Sequence, residues 1–202
     1  MPASSANNIN DAASYYSHGK VSIMSASRLL ARLFRYQAWA NDDMLRALAA
    51  LDPGRHAEER QLGLRLMNHC LVVNQIFAAH LAGRSHGFAA DNTPDTPAPE
   101  ALRRELAAVD RWYLDYAEAA TPDLLAQPLP FTFTDGDPGF MSHEDILAHV
   151  VTHNGYHRGE AGRLLRQAND RAPLRGELPW DTYAVHLHRA EPERRRQGRA
   201  AP

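Results

Sequence analysis

The stretch Ser142-His143-Glu144-Asp145-Ile146-Leu147-Ala148-His149-Val150-Val151-Thr152-His153-Asn154-Gly155-Tyr156-His157 decides how this chain is read. Three histidines, His149, His153 and His157, recur every fourth residue in a segment with helical periodicity. At about 100° per residue, that spacing stacks imidazoles along one helical edge. Two ring nitrogens one turn apart can reach a single metal ion, and a third ligand has to come from another helix. The segment carries its own start signal. Ser142 with Asp145 resembles a capping box, Asp standing where Glu or Gln is usual, and Met141 with Ile146 fits a hydrophobic staple. The helix so predicted runs from about His143 to Gln167.

Three more helical patterns precede it. The first runs from about Ser27 to Leu51 and stops at Asp52-Pro53-Gly54, with an inner stripe of Leu30, Leu33, Phe34, Gln37, Asn41, Met44, Leu45 and Leu48. The second runs from about Glu58 to Ala82, with Gly83 as its stop residue. The third spans about Pro99 to Ala119 and turns Leu102, Leu106, Val109, Tyr113 and Tyr116 inward. Upstream of the last helix, residues 129–136 alternate and end in the turn dipeptide Asp135-Gly136, which predicts a short β excursion. A further short helix is expected over Thr182 to Arg189. Four long helices with one long connection between the second and third make an all-α, up-down four-helix bundle.

The ends read differently. Residues 1–23 are Ser/Asn/Ala-rich, lack the basic and apolar regions of a signal peptide, and read as a flexible leader. The bundle is expected over residues 24–190. From Glu191 the chain is charged and Pro/Gly-punctuated, and is expected to be disordered. At 202 residues, one domain with a sizeable core is expected. Charge is nearly balanced, 22 Lys plus Arg against 24 Asp plus Glu, which argues against nucleic acid as a partner. The one cysteine, Cys70, rules out an internal disulfide and suits the cytoplasm. No apolar run approaches the roughly 18 residues that span a bilayer, so no membrane role is expected.

With His153 at zero on its helix, Ile146, Val150, His157 and Leu164 fall within about 60° on one side, and His149 sits at the edge of that stripe. On the second helix, His69 shares a face with Leu62, Leu66, Val73 and His80, with Ile76 close by. His80 lies in the last turn, where the helix dipole favours an imidazolium. A single histidine on an apolar stripe is usually a hydrogen-bonded core residue. Three from two helices at one depth point to a metal ion, for which neutral imidazoles suit Zn, Ni, Cu or Fe. Gln37 and Asn41 interrupt the first helix's apolar stripe, so their amides need partners inside the bundle or on a bound substrate. Glu160, about 20° from His153, is a fourth ligand, a base, a hydrogen-bond acceptor or a rim salt bridge. Asn154 stands where zinc proteases need Glu, which disfavours peptidase chemistry. Gly155, Gly159 and Gly162 cluster on another face of the helix, and Trp39 points away from its own inner stripe. Together they suggest a homodimer seam.

At this point the chain resembles the DinB family of metal-binding four-helix bundles over about residues 25–187. Residues 148–160, AHVVTHNGYHRGE, are similar to its H-x3-H-x2-YHRGQ signature, with Glu160 in place of Gln. Tyr36-Gln37-Ala38-Trp39-Ala40-Asn41 and Met67-Asn68-His69 resemble its first- and second-helix motifs. Pro179-Trp180-Asp181-Thr182-Tyr183 resembles its closing Asp-containing segment. The resemblance implies His69, His153 and His157 as ligands of a divalent metal ion, Zn or Ni, with His149 and Asp181 supporting the cofactor. It also implies a dimer, and an activity drawn from thiol-dependent transfer or isomerisation. The expected chemistry is attack by a low-molecular-weight thiol or water on a small electrophile, with Glu160, Gln37 and Asn41 orienting the reactants. The alternative is a non-enzymatic, stress-related bundle in which the ion is structural.

Overall fold

A computed structural model describes residues 26–174 and 176–200, the side chains of 198–200 excepted; the leader expected over residues 1–23 lies outside them. The long helices are α1 (Ala26–Ala49), α2 (Ala57–Leu81), α3 (Pro99–Ala119) and α5 (His143–Arg171). Between the last two lie one turn of helix, α4 (Pro122–Leu125), and a hairpin of β1 (Pro128–Thr132) and β2 (Pro138–Ser142). α6 (Tyr183–Ala190) and α7 (Glu193–Ala200) close the chain.

Local chemistry explains most boundaries. After α1, the Asp52 carboxylate accepts the amides of Gly54 and Arg55 at 2.9 and 2.7 Å, a side-chain turn that ends the helix. α2 stops in a Schellman arrangement. The Gly83 amide donates to the His80 carbonyl and the Arg84 amide to Ala79, with Gly83 at φ 64°, a conformation that favours glycine. α3 starts on Pro99, whose ring suits the first helical position. The capping box expected at Ser142 and Asp145 is formed, and Thr182 caps α6. α5 runs four residues past its expected end. The β excursion is a two-stranded hairpin whose second strand leads directly into α5.

α1 packs on α3 and α5, and α2 on α5 and α3, so the bundle's ring order is α1, α3, α2, α5. Phe34, Met44, Leu48, Met67, Leu102, Leu106, Tyr113, Ile146 and Leu165 fill its centre. Two stripe assignments change. Leu62 is 47 % exposed, because the buried face of α2 is centred on Leu64, Met67 and Leu71. On α5 the sealed positions are Leu147, Val150, Asn154, Arg158, Ala161 and Leu165, about one residue round from the histidines. Where disorder was expected from Glu191, α7 follows instead, and Glu191 bridges Arg32 at 3.0 Å and Arg194 at 2.6 Å. Among the described residues no helix is long and apolar enough to cross a membrane.

Candidate metal centre

His69 on α2 meets His153 and His157 on α5. Their ring centroids are 4.9, 4.6 and 4.6 Å apart, and one nitrogen from each lies within 4.8 Å of the others. All three are half-buried. His153 and His157 stand on the flank of α5 beside its sealed face, facing His69 on α2, so the imidazoles leave the apolar core yet remain screened from bulk water.

The nitrogens facing away from the cluster explain its orientation. His69 Nδ1 lies 2.8 Å from the backbone oxygen of Asp91. A carbonyl only accepts, so Nδ1 carries the proton and Nε2 offers its lone pair inward. Nε2 is also the atom nearest His153, at 3.0 Å from His153 Nε2. On α5, the Glu160 carboxylate accepts from His157 Nδ1 at 2.7 Å, again leaving Nε2 as the donor to the centre. Acceptors that fix the tautomer and aim the other nitrogen are the usual support of metal-bound histidines. The residues therefore fit a divalent ion: three imidazole nitrogen donors from two helices, two of them pre-aimed. Burial, then the neighbouring imidazoles His157, His69 and His149, push His153 down to about 3, so it stays neutral at pH 7.

Asp91 was not visible in the sequence. It sits in the long connection after α2, which has no periodicity to read. The structure shows what pins that connection down: the Asn68 amide donates to Thr93 Oγ1 at 2.7 Å and also meets Asn92, and Arg65 reaches the Thr93 carbonyl at 2.5 Å. Asn68 and His69 thus both hold the loop that orients His69.

The other expected site residues are placed elsewhere. His149 does not join the donors; its ring lies 5.3 Å from His153 and 4.9 Å from Phe77, in the wall of an adjoining cavity. Asp181 is not at the histidines. It accepts from Arg158 Nε at 2.8 Å and from the Tyr36 hydroxyl. Gln37 and Asn41 are sealed in the core, 0 % and 1 % exposed, and both donate to the Asp110 carboxylate at 2.8 Å. Their amides find the partner that the sequence required of them, but it is a buried acid and no reactant from solvent reaches them. His80 packs against Phe77, Phe131 and His86, and burial lowers its pKa, which overturns the imidazolium role expected from the helix dipole. Cys70 is sealed and its thiol pushed up to about 12 by burial, so it is no nucleophile at pH 7.

A second polar cluster fills the core between α1, α3 and α5. Arg158 Nη1 donates to the Asn41 side-chain oxygen at 3.0 Å, which ties Asp181, Arg158, Asn41, Asp110 and Gln37 into one chain. Asn154 and Asn74 pair across α5 and α2, with Asn154 Nδ2 donating to Asn74 Oδ1 at 2.7 Å. Burial pushes Asp110 up to about 6, against the pull of Gln37, Asn41 and Arg158. Sequence reasoning missed Asp110, Asn154 and Arg158 because polar residues on a helix are ordinarily solvated; only the unpaired amides of Gln37 and Asn41 hinted at a buried partner.

A comparison with family models matches the DinB family over residues 24–194. No curated protein and no solved structure matches the chain.

Proposed function

The chain belongs to the DinB family, and from that premise we propose that it is a metal-dependent enzyme acting on a small electrophile. His69, His153 and His157 would hold a divalent ion; the nitrogen donor set suits Zn, Ni, Cu or Fe, and the family resemblance favours Zn or Ni. When bound, the ion supplies Lewis acidity for attack by a low-molecular-weight thiol or by water. The observation that carries the reading is the incomplete donor set. Three histidines converge with no fourth His, Cys, Asp or Glu in the group among the described residues, and a cavity opens beside His69 and His153. Three protein ligands with an accessible side are the pattern of catalytic sites, whereas structural sites are closed by four.

The chain's own groups have defined tasks in this proposal. The Asp91 carbonyl and Glu160 keep two imidazoles in the donor tautomer. Among the described residues Glu160 is the one carboxylate hydrogen-bonded to a ligand side chain, and it is partly exposed, so it is also placed to take a proton from an incoming nucleophile. The structural-ion alternative is disfavoured by the second cluster, which joins α1, α3 and α5 with no metal ligand in it.

We further propose a cytoplasmic homodimer with a seam over Gly155 and Gly159, where an added Cβ would meet no closer neighbour than 4.0 Å. Gly162 faces Met44, and Trp39 is covered by His186 and Arg189 of its own chain, so neither contributes to that seam.

Elemental analysis of untagged protein is the direct test. About one equivalent of Zn or Ni per chain is expected, with none in His69→Ala or His153→Ala. Loaded wild type should consume a thiol in the presence of electrophiles, and His153→Ala should not. Equal rates would overturn the enzymatic reading, and a steep fall in melting temperature on chelation would favour a structural ion.

A further inference from the structure

Resting on the metal centre proposed above, we infer that the cavity beside His69 and His153 selects an uncharged, ring-bearing small molecule, and that the β1–β2 hairpin sets this specificity. The cavity has a volume of about 370 Å³, at the small end of ligand sites. One wall is metal-ligand imidazole. The other walls are α2, through Val73, Ile76 and Phe77, and the hairpin, through Phe131 and Phe133.

Charge narrows the guest. Among the described residues the lining contains no Lys or Arg, and its two carboxylates are Asp91 and Asp135. An anion would face both carboxylates with only the ion to offset them. A cation would face the ion itself. A neutral molecule meets neither cost, so a carboxylate-bearing thiol is not the occupant of this cavity and the electrophile is.

Shape narrows it further. Phe77 and Phe131 meet edge to face at 5.4 Å, and Phe131 and Phe133 at 4.9 Å. A further ring extends such a cluster favourably. Phe133 remains 44 % exposed, with ring surface for a guest to cover. The hairpin register is built around this wall. Phe131 pairs with Gly139, where an added Cβ would lie 2.4 Å from the Phe131 ring, so only glycine lets that ring sit where it does.

Cobalt-loaded protein, titrated in mildly alkaline buffer and read by its visible absorption bands, tests the inference with three probes. 4-Phenylimidazole should bind about tenfold more tightly than imidazole, and 4-(4-carboxyphenyl)imidazole should lose that gain. Phe133→Ala, at an exposed position, and Phe131→Ala should shrink the phenyl preference at least severalfold without changing cobalt content. Equal binding of all three probes, or tightest binding of the carboxylated one, overturns the inference. If cobalt is not taken up, the metal reading has failed, and saturation-transfer NMR on the metal-free chain decides the cavity. The phenyl protons should then receive saturation from wild type and much less from Phe133→Ala; equal transfer overturns the inference there too.

Discussion

Two polar clusters share α5, and they behave as opposites. Asn154 and Arg158 point into the bundle, where every neighbour is protein; His153 and His157, one residue earlier on each turn, stand on the adjoining flank. In the sealed cluster, donors and acceptors pair across three helices, with only Gln37 Oε1 and Arg158 Nη2 left without a partner. In the histidine cluster, the outer nitrogens of His69 and His157 are satisfied while the inner ones converge on a shared point. A buried network bonded across helices fixes which of them pack together. Lone pairs left converging at a half-buried cavity are a place for chemistry. A single helix supplies both because a step of about 100° separates consecutive residues.

The sharpest way to break that division is to exchange damage between the clusters. Arg158→Ala should cost about 3–5 kcal/mol in urea unfolding of chelator-treated protein, since Asp181 and Asn41 lose their shared buried partner. His153→Ala under the same conditions should change stability by about 1 kcal/mol or less. Equal losses would mean that the histidines are also part of the scaffold.

A second effect is a pH slope belonging to the sealed cluster alone. The carboxyl of Asp110 titrates at about 6 in the folded chain, against an ordinary value of 3.8. The native state therefore binds the extra proton between those values. Stability from this group is complete below about pH 4 and is lost as pH rises through about 6, amounting to roughly 2–3 kcal/mol. Subtracting the profile of Asp110→Asn from that of wild type should reveal this slope. A flat difference would place Asp110 in a wetter setting than the sealed network implies.

The smallest effect sharpens the histidine side. Glu160→Ala should weaken metal binding about tenfold by releasing His157 Nδ1, and Glu160→Gln, whose amide oxygen can still accept that hydrogen bond, should recover much of it. Competition against a metal-sensitive dye reads both. Unchanged affinity in Glu160→Ala would reduce the pair to a surface ion pair.

Much of this was legible beforehand, for definite reasons. His153 and His157 interrupt an apolar period, and so does His69, and a mismatch between residue type and stripe can be read from sequence. Capping chemistry is local, so Ser142 with Asp145 and Gly83 announced their helix ends. Arg158 and Asp110 were invisible because a charged residue on a helix reads as solvent-facing unless its partner is known. Those partners lie 117 and 69 positions away, both through Asn41. Asp181 was misplaced for a similar reason, since a carboxylate near a metal motif has no sequence mark telling it to clamp an arginine instead.

Sequence alone determined the helical bundle, its caps and the three imidazoles, because periodicity and capping act over a turn or two of chain. Tertiary structure alone decided which nitrogen His69 and His157 offer, and which polar residues are sealed. Those outcomes depend on contacts such as Asp91 with His69 and Asp110 with Gln37, made between segments that meet only after the helices have packed.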